Sequence, residues 1–326
     1  MGVRLEQASP VVSIITPCYN GAKTVHRMIE SVLAQTYDTI EYIIVNDGST
    51  DRSEDIILSY QKSFADRGYA FKYVHQENKG LGGAINAGLK EATGAYLCWA
   101  DADDFYAPES VKMRVEWMEQ HPDYGVVTSD AYIVNESNLY AADKRIAAGL
   151  SNNNDEHQFW HLLEANSIFC AGTHMIRMCC FDEVVKNRSI YPARRGQNWQ
   201  MLLPMYYKYK RHFMNEPLYS YVVSDGSMSH DDSAQKKLLR CSEHEDILHH
   251  VLQDIPMTPE DATKAQCFVR HNFARKRLYI AFNEGMAELA NEQYKALKAE
   301  KALTLRDKVY HFGANHQRIG AVLKKL

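Results

Sequence analysis

No uninterrupted apolar run in this chain reaches the length needed to span a bilayer, which sets a multi-span membrane protein aside. No C-x-x-C pair occurs, and Cys/His spacing of the zinc-site type is missing. The cysteines (Cys18, Cys98, Cys170, Cys179, Cys180, Cys241 and Cys267) are odd in number and scattered, so reduced thiols and a cytoplasmic location are expected. A polybasic footprint is lacking too. With a net charge of −4 the chain offers no general surface for nucleic acid. Residues 1–10 are charged and hold no apolar h-region, so no secretory signal is expected. What is present is ordinary for a globular protein: 45% apolar and 24% charged residues in a chain of 326. That length holds one large domain, or one domain with an appendage, and buries a sizeable core.

The first hundred residues alternate two periodicities. Residues 11–17 are a β-branched run closed by Pro17, which reads as a buried parallel strand. Val25, Met28, Ile29, Val32 and Leu33 then repeat at i, i+3, i+4, i+7 and i+8, the stripe of a helix packed on a sheet. Residues 40–45 predict a second strand. A helix carrying Ile56, Ile57, Tyr60 and Phe64 follows, with Asp51 and Glu54 at capping-box spacing. A third strand (69–75), a third helix (80–92) and a fourth strand (96–100) complete the pattern. Such alternation argues for a parallel sheet covered on both faces, whose ligands bind beyond the carboxyl ends of the strands.

The fourth strand runs straight into Asp101, Asp103 and Asp104, separated only by the small Ala102. Carboxylates at the end of a buried strand repel one another and lose hydration, so they need a cation or donors to stay ionised. Hard oxygen ligands of this kind suit Mg²⁺ or Mn²⁺. Alone, the string also fits a strand end with Asp104 as a helix cap. The polar loops at 17–21, 47–51, 78–83 and 101–104 all fall at strand carboxyl ends, so they are expected to converge on one rim.

In order, Thr16-Pro17-Cys18-Tyr19-Asn20, Asn46-Asp47-Gly48-Ser49-Thr50-Asp51, Asn78-x-Gly80-x-x-x-Ala84-x-Asn86-x-Gly88 and Asp101-x-Asp103-Asp104 resemble the signatures of family 2 glycosyltransferases. These are inverting enzymes of the nucleotide-diphospho-sugar-binding GT-A type. The resemblance is tight to Asp104 and looser to residue 230. It implies an α/β fold, a Rossmann-like, mostly parallel sheet flanked by helices, with a C-terminal helical extension. It further implies that the backbone of Thr16, Pro17 and the next residues walls a nucleobase together with the Tyr19 ring. Asp47 would accept the base's imide N–H, favouring uracil or thymine. Asp101 would face ribose or metal, Ala102 would let the ligand approach the backbone, and Asp103 would hold the metal bridging the two phosphates. Asn78, Lys79 and Gly80 would line the nucleotide and donor sugar. Mn²⁺ or Mg²⁺ is the implied cofactor. Asp47-Gly48 also fits a plain turn, and Asn86 and Gly88 fit close packing on the sheet. Gly80-x-Gly82-x-x-Ile85 is a poor dinucleotide fingerprint, because it follows the third strand and its sixth residue is Ile85.

The second half departs from the family in one place. Most relatives carry Glu-Asp where this chain has Gln197-Asn198, and that Asp serves as their general base. An inverting displacement needs a base to take the acceptor's hydroxyl proton, and an amide has no useful proton affinity near neutral pH. The base role therefore does not carry over to Asn198. Three explanations stand: another carboxylate (Asp182, Glu183 or Asp231) serves; the amides orient the acceptor while the base comes from elsewhere; or the protein binds nucleotide without transferring sugar. Arg194 and Arg195 fit either a phosphate or acidic-acceptor contact or a solvated pair. The polar stretch 137–156 is expected as an acceptor-side loop or lid, or simply a flexible segment. His230, in a stretch resembling the family's late loop over the donor phosphates, is a candidate metal or phosphate ligand.

Two domains are expected, a catalytic one at 1–230 and a helical region at 231–326. Near the end, Leu305, Val309, Phe312, Ile319 and Leu323 form an apolar stripe flanked by Lys308, Arg318, Lys324 and Lys325. A peripheral membrane contact reaching a lipid-linked acceptor, a helix docked on the catalytic domain, and a homodimer all fit it. His311 and His316 are expected at the surface. The expected function is metal-dependent transfer of a sugar from a nucleotide diphosphate donor, UDP-linked, to a saccharide hydroxyl in bacterial surface polysaccharide synthesis. A non-catalytic nucleotide-sugar-binding subunit is the alternative.

Overall fold

The protein is described from a computed structural model, which covers residues 9–224, 233–316, 319–320 and 322, without the side chains of residues 140 and 143. These residues group into two compact units, one within Met1–Asp225 and one within Gly226–Leu326.

In the first unit β1 (Val12–Cys18) leads to α1 (Val25–Leu33), then β2 (Ile40–Asp47), α2 (Ser53–Ser59) and α3 (Gln61–Arg67). β3 (Ala70–Gln76), α4 (Gly80–Glu91) and β4 (Tyr96–Trp99) follow. β1 to β4 are all parallel, with Cys18 level with Asn46, Asp47 with Gln76, and Ile15 with Trp99. The predicted stripe of α1 is its inner face, with Val25, Met28, Ile29 and Val32 fully buried. Burying a side chain of this size contributes about 1.5–3 kcal/mol. The single helix expected over Ile56 to Phe64 is two, broken at Tyr60.

Beyond β4 the chain forms β5 (Phe105–Tyr106), α5 (Ser110–Gln120), β6 (Tyr124–Asn135) and β7 (Asn138–Arg145). Then come α6 (Phe159–Leu163), β8 (His174–Arg177), α7 (Met178–Val184), α8 (Gln197–Lys208) and β9 (Lys210–Val223). The described residues make one nine-stranded sheet, ordered β3-β2-β1-β4-β8-β6-β9-β5, with β7 paired to β6. The parallel half is as expected. The other half is mixed, because β8 runs antiparallel to both β4 and β6. Much of the polar stretch expected as a lid is β7, the return strand of a hairpin with β6. Its edge position leaves many side chains in water, so it lacks the apolar alternation that announces a strand.

The second unit holds α9 (Ala234–Asp254), α10 (Pro259–Glu284), α11 (Ala287–Ala299) and α12 (Leu305–Asn315). Ala274, Leu278, Ala281, Phe282, Ala290, Leu297 and Ala314 form a core shared by the last three. His311 is half-buried: it stacks on Tyr294 at 4.0 Å, and its Nε2 lies 2.7 Å from Asn291 Oδ1. His316 is exposed and stacks on Phe312.

Candidate functional site

Because β1 to β4 are parallel and in register, their carboxyl ends share one rim, and the four polar loops meet there. Much of their polar chemistry is internal stitching. Asn20 N–H donates to Ser49 Oγ at 2.9 Å, and Thr50 N–H donates back to Asn20 Oδ1 at 2.8 Å. Ala22 N–H donates to Asp51 Oδ2, while Asp51 Oδ1 accepts from Ser53. Asp51 therefore ties two loops together. The expected capping box with Glu54 is not formed, since Arg52 is the residue that precedes α2.

Asp47 is buried, and its Oδ1 accepts from Gln76 Nε2 at 2.6 Å and from Lys79 N–H at 2.9 Å. Its Oδ2 has no hydrogen-bonding partner among the described residues. Gly48 takes a left-handed φ of +73°, and a Cβ there would sit 2.8 Å from Asn78 N. Glycine is thus required for the second and third loops to meet. Asn78 Oδ1 accepts from Gly80 N–H at 3.2 Å, with Asn78 and Lys79 exposed. Thr16 is fully buried, so it offers the rim only its backbone, whereas Tyr19 is 55% exposed next to Pro17. An open groove of about 500 Å³ adjoins the rim beside α4, lined by Gln76, Lys79, Gly83, Asn86, Ala87, Lys90 and Pro192.

The three carboxylates after β4 separate by environment. Asp104 is 1% exposed, and both oxygens are engaged, one by Tyr219 O–H at 2.9 Å and the other by Val222 N–H at 2.8 Å. It anchors the loop to β9. The carboxylates of Asp101 and Asp103 accept no hydrogen bond from another residue among the described residues. Burial, then the neighbouring Asp103 charge, pushes Asp101 up to about 7. Burial raises Asp103 as well, with Arg27 opposing and Glu136 adding to the rise, although the residue keeps an exposed surface. Two carboxylates that repel each other and lack donors among the described residues are a chemical fit for a hard divalent cation. No set of three protein ligands is arranged around them among the described residues. A cation there would therefore need ligand oxygens or water to complete its shell. Ala102 between them packs against the main core. Arg27, which the sequence did not single out, donates from Nη2 to the Asp103 carbonyl and lies 6.0 Å from the Phe105 ring.

Gln197 and Asn198 open α8 at the same rim and are buried. Trp99 Nε1 donates to Asn198 Oδ1 at 2.7 Å, and Asn198 Nδ2 donates to the Phe169 carbonyl at 2.7 Å. The segment before α8 lies over the start of α4. Gly82 N–H donates to Ala193 O at 2.8 Å, and a Cβ on Gly82 would meet that backbone at 2.8–2.9 Å. Asn86 makes two hydrogen bonds to the Ile190 backbone, and Gly88 lies where a Cβ would strike Ile15 at 2.5 Å.

Asp182 does not join the rim. β8 runs against β4 and pairs Arg177 with Tyr96, so α7 starts at the amino end of β4. Five residues of extended chain, about 16 Å, separate that end from Asp101. There Asp182 is held by Arg188, whose Nη1 also donates to Ala92 O. Glu183 pairs with Lys208 and Tyr209 at the far end of α8. Neither is placed to serve as base for chemistry at Asp101 and Asp103. His230 and Asp231 lie outside the described residues.

A mixed α/β sheet whose parallel half gathers these loops at its carboxyl rim is the GT-A architecture. Residues 13–185, just over half of the chain, match the model of glycosyl transferase family 2, and the chain belongs to that family. A Rickettsia prowazekii protein named as an uncharacterized glycosyltransferase is 41% identical over 124 residues, 38% of this chain and 37% of its own length. The match thus spans little more than a third of that relative. Among solved structures, S. aureus TarS 1–349 in complex with UDP superposes with a TM-score of 0.62 at 15% identity, covering 93% of this chain and 86% of that one. The mannosyltransferase PcManGT from Pyrobaculum calidifontis, in complex with GDP-Man and Mn²⁺, does so at 0.57 and 17% identity, covering 97% and 87%. At such identities the likeness is one of fold. Among the described residues no helix is long and apolar enough to cross a membrane.

Proposed function

We propose that the protein transfers a sugar from a UDP-linked donor to a saccharide hydroxyl, with inversion, as a step in building a bacterial surface polysaccharide. The observation that carries this reading is the meeting of Asp47 with Asp101 and Asp103 on one rim, all three with carboxylate oxygens left without a donor among the described residues. Asp47 retains one open oxygen, since Oδ1 already accepts twice. A single acceptor suits the one imide N–H of uracil. Guanine presents two adjacent donors and would be better served by a fully open carboxylate. Tyr19 supplies an exposed ring for the base, and Asn78, Lys79 and Gly80 border the donor. TarS has been solved with UDP and UDP-GlcNAc, which supports the same donor class.

Asp103 and Asp101 are the residues that would hold Mn²⁺ or Mg²⁺ between protein and diphosphate. Bound there, the ion would supply positive charge opposite the departing diphosphate. Calorimetric titration with UDP and GDP, with and without Mn²⁺, tests the reading. UDP is expected to bind only with the metal and at least about tenfold tighter than GDP, a gap of one lost hydrogen bond to a charged group. GDP binding as tightly as UDP overturns the donor assignment.

Asn198 favours a second reading, a nucleotide-sugar-binding subunit without transfer. Its amide is committed to Trp99 and Phe169, and Asp182 and Glu183 stand at the opposite end of the sheet. UDP release measured across a panel of saccharide acceptors separates the two. Binding without acceptor-dependent release supports the subunit, and turnover excludes it.

A further inference from the structure

The helix α12 carries its apolar residues on the wrong side for a packed helix. Leu305, Val309 and Phe312, spaced i, i+4 and i+7, are 78%, 38% and 46% exposed. The opposite face is the fastened one. Ala314 is buried in the shared core, and Tyr310 stacks on Phe282 with ring centroids 5.0 Å apart. Asp307 is buried, closes a capping box with Thr304 and pairs with Arg275 at 3.3 Å. These attachments prevent the helix from turning its outer stripe inward. Ile319 and Val322 add two more exposed apolar residues just beyond it.

Charge decides what would cover that stripe. Arg306 and Lys308 are exposed on either side of it, and no ion pair to Lys308 is formed among the described residues. Gly226–Leu326 carries 16 Lys and Arg against 13 Asp and Glu, while the chain as a whole is net −4. From Lys301 onward the balance is six basic residues to one acidic. A second copy docked face to face would set these basic flanks against their own equivalents, which costs electrostatic energy. A surface with an apolar interior and a negative outer layer meets both features at once.

We propose that the outer face of α12 seats on an anionic lipid bilayer, with Leu305, Val309 and Phe312 in the headgroup–acyl boundary and Arg306 and Lys308 against lipid phosphates. The helix lies on the membrane and does not cross it. This inference is independent of the sugar-transfer reading, since none of these residues belongs to the rim.

The test is sedimentation of the full chain with phosphatidylcholine vesicles and with vesicles that also contain phosphatidylglycerol. Binding is expected to the anionic vesicles, about tenfold weaker to the neutral ones, and reversed by added salt. Leu305→Glu/Phe312→Glu and Arg306→Glu/Lys308→Glu should each weaken it by about tenfold or more. All four positions are exposed, so circular dichroism and Mn²⁺–UDP titration should match the unaltered chain. Equal binding by both double variants, or none by the unaltered chain, overturns the proposal. A dimer in light scattering that Leu305→Glu/Phe312→Glu converts to monomer, without vesicle binding, assigns the face to a second copy instead.

Discussion

Trp99 and Asn198 are joined by a hydrogen bond of 2.7 Å from the indole N–H to the amide oxygen. The partner on the other side decides the amide's orientation. The Phe169 carbonyl can only accept, so it must face the NH₂ group. An aspartate at this position would keep the first bond and set an acceptor against an acceptor in the second. Asn198 is thus fitted to its surroundings as an amide.

Asn198→Asp should accordingly destabilise the protein by about 1–3 kcal/mol, the cost of a lost buried hydrogen bond with its carbonyl left unpaired. Urea unfolding measures it. Unchanged stability together with faster acceptor-dependent UDP release would show that the surroundings accept a carboxylate and that a base is simply missing.

Asp103 and Asp104 are neighbours in sequence but should respond in opposite ways. Asp103→Asn removes a repelled charge, so thermal stability should hold or rise while Mn²⁺-dependent UDP binding falls by about a hundredfold, as expected for loss of a metal ligand. Asp104→Ala leaves Tyr219 O–H and Val222 N–H without their acceptor and should cost about 2–4 kcal/mol. Melting curves and UDP titrations on both variants separate the two roles. A large stability loss in Asp103→Asn would contradict this division.

Gly48→Ala should be costly despite its small size. A left-handed φ costs a non-glycine residue about 1–2 kcal/mol, and the new methyl would press on the Asn78 backbone. UDP affinity should drop along with stability, because the displaced loop holds Asn78 and Lys79. Normal UDP affinity in a folded Gly48→Ala would remove the third loop from the nucleotide site.

Acid should expose a weak point far from the rim. Glu41 is buried at the start of β2, where it accepts from Ser13 Oγ, from Thr93 N–H and Oγ1, and pairs with Lys72 at 2.7 Å. Burial alone would raise this carboxyl, but the donors, Lys72 foremost, more than offset it and hold it below the usual range. A lowered folded-state value means the stabilisation is present above the ordinary Glu range and lost as pH falls through the folded value. Stability should therefore decline below about pH 5, and Glu41→Gln should flatten that decline while lowering stability at neutral pH. Urea midpoints across pH 3–7, the span of ordinary carboxylate titration, test it. An unchanged slope in Glu41→Gln would place the acid sensitivity elsewhere.

The parallel half of the fold was legible because its signals are local. A β-branched run, a turn and a 3.6-residue stripe each announce themselves within a dozen residues, and their alternation dictates which strand ends share a rim. The motifs at 16–20, 46–51, 78–88 and 101–104 were legible for the same reason. Residues such as Arg27 and Gln76 gave no such signal, since each acts by reaching a loop distant in sequence. The β7 strand escaped notice because its pairing with β6 holds it in place, whereas its own composition is that of a loop.

By itself the sequence determined the family, the parallel α/β half, the rim loops and the missing carboxylate at Asn198, all properties written in contiguous strings. Tertiary structure alone decided what those residues do. It assigned Asp104 to anchoring and left the Asp101 and Asp103 carboxylates without donors among the described residues, because Tyr219 and Val222 arrive from a strand more than a hundred residues away. It also removed Asp182 from the rim, since the antiparallel course of β8 carries the chain to the other end of the sheet. Strand direction is set by pairing partners, and no residue states its own.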